Sequence, residues 1–113
     1  MKSNHTSQSL EVQLKDFKKK WSSSVDQSVS DTFQKGIDEL VENNMTSSAI
    51  KKGNIAPNFI LKDASGESIS LYEKLKNGKV ILTWYRGGWC PYCNLTLRSL
   101  QSHNDEFIQL NAQ

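Results

Sequence analysis

The sequence of 113 residues lacks a hydrophobic run of membrane-spanning length. Its longest apolar stretch is Val80, Ile81 and Leu82 with the aromatics that follow, far short of the roughly 20 residues that a spanning helix needs. Neither sign of charge is in strong excess, since 14 Lys and Arg against 12 Asp and Glu leave a net charge of +2. That balance argues against a nucleic-acid or membrane-surface partner. No apolar run follows the first residues, so we expect no signal peptide.

Cysteine and histidine are scarce. The two cysteines, Cys90 and Cys93, stand three positions apart, a spacing that cannot crosslink distant parts of a small secreted fold, so we expect a cytoplasmic protein. Structural zinc needs four ligands, and His5 and His103 are the two histidines. His103 would lie about 15 Å along the same predicted helix as Cys93. We therefore expect no metal site, and a solvated side chain for His5 in its polar N-terminal segment.

Composition divides the chain near residue 52. Every cysteine, proline and arginine lies in residues 53–113, whereas residues 1–52 are rich in serine. We expect residues 1–52 to form a helical extension and residues 53–113 to form a separate unit. All recognisable chemistry belongs to the second unit.

The spacing of apolar residues in the extension predicts two helices. One stripe consists of Leu10, Leu14, Phe17 and Trp21, and the second consists of Val25, Val29, Phe33, Ile37 and Leu40 or Val41, ending near Asn43 and Asn44. The serine run 22–24 predicts a turn between them, with Ser23 and Asp26 as a capping box for the second helix. We expect an antiparallel helix pair that packs on residues 53–113 or on a partner chain.

The second unit is predicted to be mixed α/β. Alternating residues on either side of Asp63–Gly66 predict a β-hairpin, and Leu71–Leu75 predicts a short helix closed by Asn77 and Gly78. Lys79–Tyr85 predicts a strand buried on both faces. After Gly87 and Gly88, apolar spacing from Leu97 to Leu110 predicts one helix. The cysteines lie at this strand-to-helix junction, where ligands bind in α/β folds.

The segment Cys90-Pro91-Tyr92-Cys93 predicts a redox site. Pro91 suits the first helical position, which makes Cys90 the N-cap. The amides of the first turn and the helix dipole then favour its thiolate, and Arg86 upstream adds positive charge if the loop folds back. We expect Cys90 to be the exposed nucleophile and Cys93, one turn inside the helix, to be the protected resolving thiol. The helical spacing brings the two sulfurs within reach of a disulfide; two unrelated core cysteines are the alternative.

Two stretches carry a family resemblance. Gly53–Asp63 (GNIAPNFILKD), with Gly66 and Ile69–Leu71, resembles the opening of the alkyl hydroperoxide reductase/thiol-specific antioxidant family. Val80–Asn94 (VILTWYRGGWCPYCN) and the leucines after it resemble the peroxiredoxin-like branch of that family. The resemblance implies a thioredoxin-like fold over residues 53–113. Because a thioredoxin-like domain continues with further strands, a cis-proline loop and a second long helix, we expect this chain to hold the N-terminal half of that fold.

The resemblance implies a thiol-dependent peroxidase. Cys90 would reduce a hydroperoxide, Cys93 would resolve the sulfenic acid, and Arg86 would position the substrate. Thioredoxin, glutaredoxin or glutathione would then restore the dithiol without a metal or organic cofactor. Typical members carry Pro seven positions and Thr or Ser three positions before the reactive cysteine, where this chain has Thr83 and Gly87.

Two other functions stay open. The Cys-Pro-Tyr-Cys segment is similar to that of glutaredoxin and other thioredoxin-fold oxidoreductases, which favours thiol–disulfide exchange with a disulfide substrate. The third hypothesis is a catalytically incomplete chain whose helical extension serves for association, for example in a homodimer.

Overall fold

A computed structural model describes residues 8–113; His5 lies outside them. The chain folds into five helices and one small sheet within that range, a mixed architecture compatible with an α/β thioredoxin-like fold. In chain order the elements are α1 (Leu10–Ser24), α2 (Gln27–Glu42), β1 (Ile60–Lys62), β2 (Ser68–Ser70), α3 (Leu71–Leu75), α4 (Pro91–Ser102) and α5 (Asn104–Gln109).

Helix α1 begins at Leu10, the first residue of the predicted apolar stripe, and ends later than expected. Ser9 is the N-cap, and its hydroxyl accepts the Val12 N–H at 3.4 Å. The serine run belongs to the helix, because the Ser23 and Ser24 hydroxyls donate to the carbonyls of Lys19 and Trp21. Such bonds satisfy the serines inside a helix, and the predicted capping box is therefore wrong. The chain leaves the helix at Val25, whose backbone is extended.

Helix α2 follows after Asp26, which is its N-cap without a side-chain capping bond. The two helices meet where the Phe33 ring packs edge-on to Trp21, with centroids 5.0 Å apart. The main partner of α1 is α4 rather than α2, so the packing differs from a simple antiparallel pair. The apolar stripe of α2 is consequently exposed, with Phe33 at 58% and Leu40 at 56%.

The predicted hairpin is confirmed. Strands β1 and β2 pair antiparallel with Leu61 opposite Ile69. The Asp63 carboxylate accepts the N–H groups of Ser65 and Glu67 and the Ser65 hydroxyl, and Gly66 takes a φ of +88° that the turn requires. These hydrogen bonds, led by the one from the Ser65 hydroxyl, hold the pKa of Asp63 below its ordinary value.

The short helix α3 is also confirmed, and it contributes the main buried side chain. The Ser70 hydroxyl caps it by accepting the Glu73 N–H. Leu71 is 6% exposed, and among the described residues only Leu71 and Cys90 are buried hydrophobic residues. The Asn58 side chain ties the preceding loop to α3 by accepting the Tyr72 N–H at 2.9 Å.

The predicted buried strand over Lys79–Tyr85 is wrong. Lys79 forms one parallel bridge with Ala112, and the Ile81 N–H donates to the Gln113 carbonyl. Past Ile81 the segment has no regular structure, and Trp84 and Tyr85 are exposed. A β-strand forms only where a neighbouring strand accepts its backbone hydrogen bonds. Within residues 8–113, β1 and β2 pair only with each other, so residues 79–85 have no sheet to join.

The predicted last helix is broken at His103. Residue 103 would continue the α-helix by donating its N–H to the Ser99 carbonyl, but that carbonyl accepts the Ser102 hydroxyl at 2.7 Å and lies 2.8 Å from His103 Nδ1. The His103 N–H turns to Leu100 instead, and α5 begins at Asn104. Side-chain competition for the backbone therefore divides the helix.

Two global properties bear on function. The chain has a radius of gyration of 18.0 Å, against about 13 Å for a compact domain of its length. In the part of the chain that is described, none of the helices has the length and apolar composition needed to cross a bilayer.

Candidate active site

The site is built where a tight turn enters α4. The Cys90 N–H donates to the Gly87 carbonyl at 3.0 Å, which closes a four-residue turn. Pro91 is the first helical residue and Cys90 is the N-cap, in agreement with the sequence prediction. Proline suits this position because its fixed φ matches the helix and its missing N–H would have had no partner. The turn therefore places Cys90 at the N-terminus of α4.

The two sulfurs lie in direct contact. The Cys90 sulfur accepts the Cys93 N–H at 3.4 Å, the capping bond of the helix. Cys93 Sγ donates to Cys90 Sγ at 2.7 Å, and both thiols are free. That separation exceeds the length of a disulfide bond by only about 0.7 Å. A small side-chain rotation is enough to join the pair.

The relative burial of the cysteines is the reverse of the sequence expectation. Cys90 is 2% exposed, whereas Cys93 is half-buried. The cause is the capping geometry, because a side chain that accepts bonds from first-turn amides is turned in against the helix end. The expectation of an exposed Cys90 beside a protected Cys93 is therefore wrong, although the N-cap assignment is right.

Hydrogen bonds lower the pKa of the Cys90 thiol below its ordinary value. The largest contribution is the hydrogen bond from the Cys93 thiol. Burial opposes it by disfavouring the charged form, and the Cys93 N–H, the Arg86 charge and the Tyr92 N–H add to the lowering. The net result favours a thiolate at Cys90 that is enclosed rather than open to solvent.

Arg86 lies next to the pair and contacts it in two ways. Its backbone N–H donates to Cys93 Sγ at 3.4 Å, and its charge acts on Cys90. The guanidinium is stacked 4.9 Å from the centre of the Trp89 ring, an exposed cation–π contact. The loop has thus folded back toward the cysteines. The role of Arg86 in positioning a substrate stays a prediction.

Two supports of the site were missed at the level of sequence. The Asn94 side chain donates to the Gly88 carbonyl at 2.9 Å and holds the turn against α4. A polar amide four residues after an N-cap is the signal that could have indicated it. The second support is Phe17 of α1, whose ring packs edge-on to Tyr92 with centroids 4.8 Å apart and planes at 82°. No pattern in the sequence links these distant residues.

A cavity of about 170 Å³ lies against Cys93. Helix α4 supplies Tyr92, Thr96 and Leu97 to its wall, α1 supplies Leu14, and the segment before the turn supplies Thr83 with the aromatics at 84 and 85. None of these side chains is charged at neutral pH. The extension thus contributes to the surroundings of the cysteines.

The described residues include no group of three or more His, Cys, Asp and Glu side chains that could hold a metal ion. His103 Nδ1 lies 2.8 Å from the Ser99 carbonyl. The contact between the two free thiols supports interconversion of a dithiol and a disulfide.

Comparison with family models agrees with this chemistry. Residues 52–113 match the model of the AhpC/TSA family, so the chain belongs to that family. No curated protein and no solved structure matches the chain significantly. The family is one of thioredoxin-like, peroxiredoxin-like redox proteins, and the matched segment contains both cysteines and the whole turn before α4. A redox function of this general kind follows.

Proposed function

We propose that this protein is a thiol-dependent peroxidase that uses Cys90 as the reactive cysteine and Cys93 as the resolving cysteine. The observation that carries the proposal is the contact between the sulfurs, with Cys90 Sγ accepting hydrogen bonds from the thiol and the N–H of Cys93. This contact stabilises the attacking thiolate and keeps the second thiol beside it. The family supplies the redox class.

The proposed reaction has three steps. The Cys90 thiolate attacks the terminal oxygen of a hydroperoxide, the O–O bond breaks, and the alkoxide or hydroxide leaves and takes up a proton while Cys90 becomes a sulfenic acid. The Cys93 thiol then attacks the sulfenic sulfur, and the disulfide forms with release of one water. Two electrons and two protons from a thiol reductant of the thioredoxin, glutaredoxin or glutathione class restore the dithiol.

Charge stabilisation at the peroxide limits the first step. The developing charge on the leaving oxygen needs donors aimed at it, and Arg86 is the cation beside the pair. Position 87 offers no hydroxyl because it is glycine. Losing one well-placed donor costs about a hundredfold or more in rate. We therefore propose a slow peroxidase relative to members with a hydroxyl there.

The absent hydroxyl favours a second candidate, thiol–disulfide exchange through the same pair. In that reaction the Cys90 thiolate attacks a substrate disulfide, and Cys93 releases the mixed disulfide. No donor at position 87 is required, because the leaving group is a thiolate rather than an oxygen anion.

Stopped-flow rate measurements on the full chain distinguish the peroxidase reaction from thiol–disulfide exchange. Reduced protein is mixed with hydrogen peroxide or with a model disulfide, and Cys90→Ser and Cys93→Ser variants are run in parallel. A peroxidase consumes peroxide several orders of magnitude faster than a free low-pKa thiol, whereas an exchange protein matches the free thiol on peroxide and exceeds it on the disulfide. Equal rates for wild type and Cys90→Ser on both substrates refute both candidates.

Mass spectrometry tests the division of roles between the cysteines. One equivalent of peroxide should remove two hydrogens from wild type, and Cys93→Ser should stop at a sulfenic acid on Cys90. Cys93 is the more exposed sulfur, so preferential labelling of Cys90 by limiting iodoacetamide at mildly acidic pH would reflect the thiolate character of Cys90. Labelling mainly at Cys93 would contradict the proposed roles.

A further inference from the structure

The guanidinium of Arg86 lies beside the sulfur pair without an anionic partner. The ion pairs found among residues 8–113 are local to α1 and to the end of α3. Within the same residues, the hydrogen bond that Arg86 donates from its loop comes from the backbone N–H and not from the guanidinium. Its five side-chain N–H donors are therefore open to an outside acceptor, and their planar arrangement suits a carboxylate, which can accept two parallel hydrogen bonds.

Trp89 restrains this guanidinium. Arg86 Cζ lies 4.9 Å from the centre of the Trp89 ring, and a cation–π contact restricts the long side chain without engaging a hydrogen-bond acceptor. The indole is 69% exposed, so the contact lies at the surface. A ligand from solvent can thus reach an arginine that is already held in place.

The surroundings of Arg86 in the sequence contain no competing carboxylate. Residues 79–104, which comprise the segment before the turn, the turn and α4, include two arginines and a lysine but no Asp or Glu. An anion that approaches the cysteines along this segment meets attraction rather than repulsion. Trp84 and Tyr85, at 81% and 59% exposure, precede Arg86 and offer aromatic area to the body of a ligand. The combination suits an anionic molecule of peptide size.

Arg86 is also close to the more accessible sulfur. Its backbone N–H donates to Cys93 Sγ at 3.4 Å, and Cys93 is half-buried whereas Cys90 is 2% exposed. A thiol that reduces the Cys90–Cys93 disulfide therefore reaches Cys93 more readily. A reductant that carries both a thiol and a carboxylate can attack Cys93 while its carboxylate pairs with Arg86.

We infer that Arg86 binds a carboxylate of the thiol that reduces the Cys90–Cys93 disulfide, and that this reductant is a small peptide thiol of the glutathione class. The inference rests on the proposed redox cycle and specifies its electron donor. The thiolate RS⁻ bonds to Cys93 Sγ as the Cys93–Cys90 bond breaks, and Cys90 leaves as a thiolate. A second RS⁻ attacks the R sulfur of the mixed disulfide, RSSR is released, and the Cys93 thiolate takes up a proton; two thiols are oxidised and one disulfide is reduced.

The test begins from the disulfide made with diamide, so that peroxidase activity is not needed. The full chain is reduced with glutathione and with its glycine ethyl ester, which has one carboxylate fewer, at matched thiolate concentrations. Each rate is divided by the rate of the same thiol on the neutral hydroxyethyl disulfide. We expect the normalised glutathione rate to exceed that of the ester about two- to fivefold, as for an exposed ion pair, and the ratio to shrink in about 0.5 M salt. A ratio of one or below at low salt overturns the inference.

Variants of Arg86 test the residue itself. Arg86→Gln should bring the ratio near one, and Arg86→Lys, which keeps the charge but not the planar donors, should retain part of the preference. A general slowing through the Cys90 leaving group cancels in the ratio. Lys62→Gln is the matched control, since it removes the same charge from an exposed position on β1, and it should keep the wild-type ratio. An unchanged ratio in Arg86→Gln, an equal fall in Lys62→Gln, or a rate loss confined to a thioredoxin reductant contradicts the inference.

Alkylation of the reduced protein distinguishes failure of the inference from failure of the proposed function. If no Cys90–Cys93 disulfide forms with diamide, the proposed function fails. Iodoacetate carries a carboxylate and iodoacetamide does not, so the ratio of their rates at the cysteines, relative to free cysteine, tests carboxylate binding without a redox step. A ratio about two- to fivefold lower in Arg86→Gln than in wild type supports the carboxylate site independently, and equal ratios in the two proteins refute it.

Discussion

Replacement of Gly87 by alanine tests whether the turn before α4 keeps Cys90 enclosed. A Cβ at this position would stand 2.5 Å from Trp89 Nε1 and 2.8 Å from its Cδ1. The backbone φ is +150°, a conformation that side-chain-bearing residues rarely adopt. Trp89 is 69% exposed, so its ring can swing outward, but the backbone strain remains.

The magnitude follows from these two effects. The strained backbone conformation costs about 1–3 kcal/mol, and moving Trp89 gives up its exposed cation–π contact with Arg86, worth about 0.5–1 kcal/mol. Together they weaken the closed turn by about 1.5–4 kcal/mol. Since about 1.4 kcal/mol corresponds to a tenfold change in an equilibrium, the open turn should become at least about tenfold more populated.

The assay is the rate of iodoacetamide labelling at Cys90, mapped by peptide mass spectrometry. Gly87→Ala should raise that rate about tenfold or more when labelling follows the population of the open turn. Gly88→Ala is the matched control, since its added Cβ meets no atom within 4 Å, and it should stay near the wild-type rate. Indistinguishable Cys90 labelling in the two variants would refute the reasoning about the turn.

Three further predictions concern the thiol, the core and the assembly. Cys93→Ala removes the largest contribution to the lowered pKa of Cys90. The pH midpoint of Cys90 alkylation should therefore move to higher pH than in wild type, and an unmoved midpoint contradicts the stated cause. Leu71 is 6% exposed, so Leu71→Ala should lower the free energy of unfolding, measured in urea, by about 2–5 kcal/mol. Leu61 is 64% exposed, so Leu61→Ala should lower it by about 0.5 kcal/mol or less. Equal losses of stability would contradict this location of the core. The accessible surface of 10080 Å² exceeds the roughly 6,300 Å² expected for a compact monomer of this mass. Light scattering should therefore detect a dimer, and Ile37→Lys on the exposed face of α2 should disrupt it. A monomer at all protein concentrations would argue against association through α2.

Features governed by neighbouring residues could be predicted well. Pro91 after Cys90 specifies a helix start whatever surrounds it, because proline restricts its own φ and lacks an N–H. The hairpin turn at Asp63–Gly66 is equally local, since a carboxylate accepts nearby amides and a glycine takes the positive φ. The apolar periodicity of α1 is also confirmed, because helical spacing depends on backbone geometry alone.

Partly local features were predicted with errors at their ends. Nothing in a residue pattern reveals that the hydroxyls of Ser23 and Ser24 bond back to helix carbonyls rather than cap the next helix. The same competition, at the Ser99 carbonyl, divides the last helix at His103. Serine hydroxyls can satisfy either arrangement at similar free energy, so the surrounding chain decides between them.

By itself the sequence determined that two cysteines meet at the start of a helix, since Cys90, Pro91 and Cys93 lie within one turn. Tertiary structure decided which sulfur is enclosed, because exposure depends on how the turn folds against α4. It also placed Phe17 of α1 on Tyr92 of α4, across 75 positions of sequence. It left Trp84 and Tyr85 outside any sheet, because a hydrophobic run becomes a strand only where another strand lies beside it to accept its hydrogen bonds.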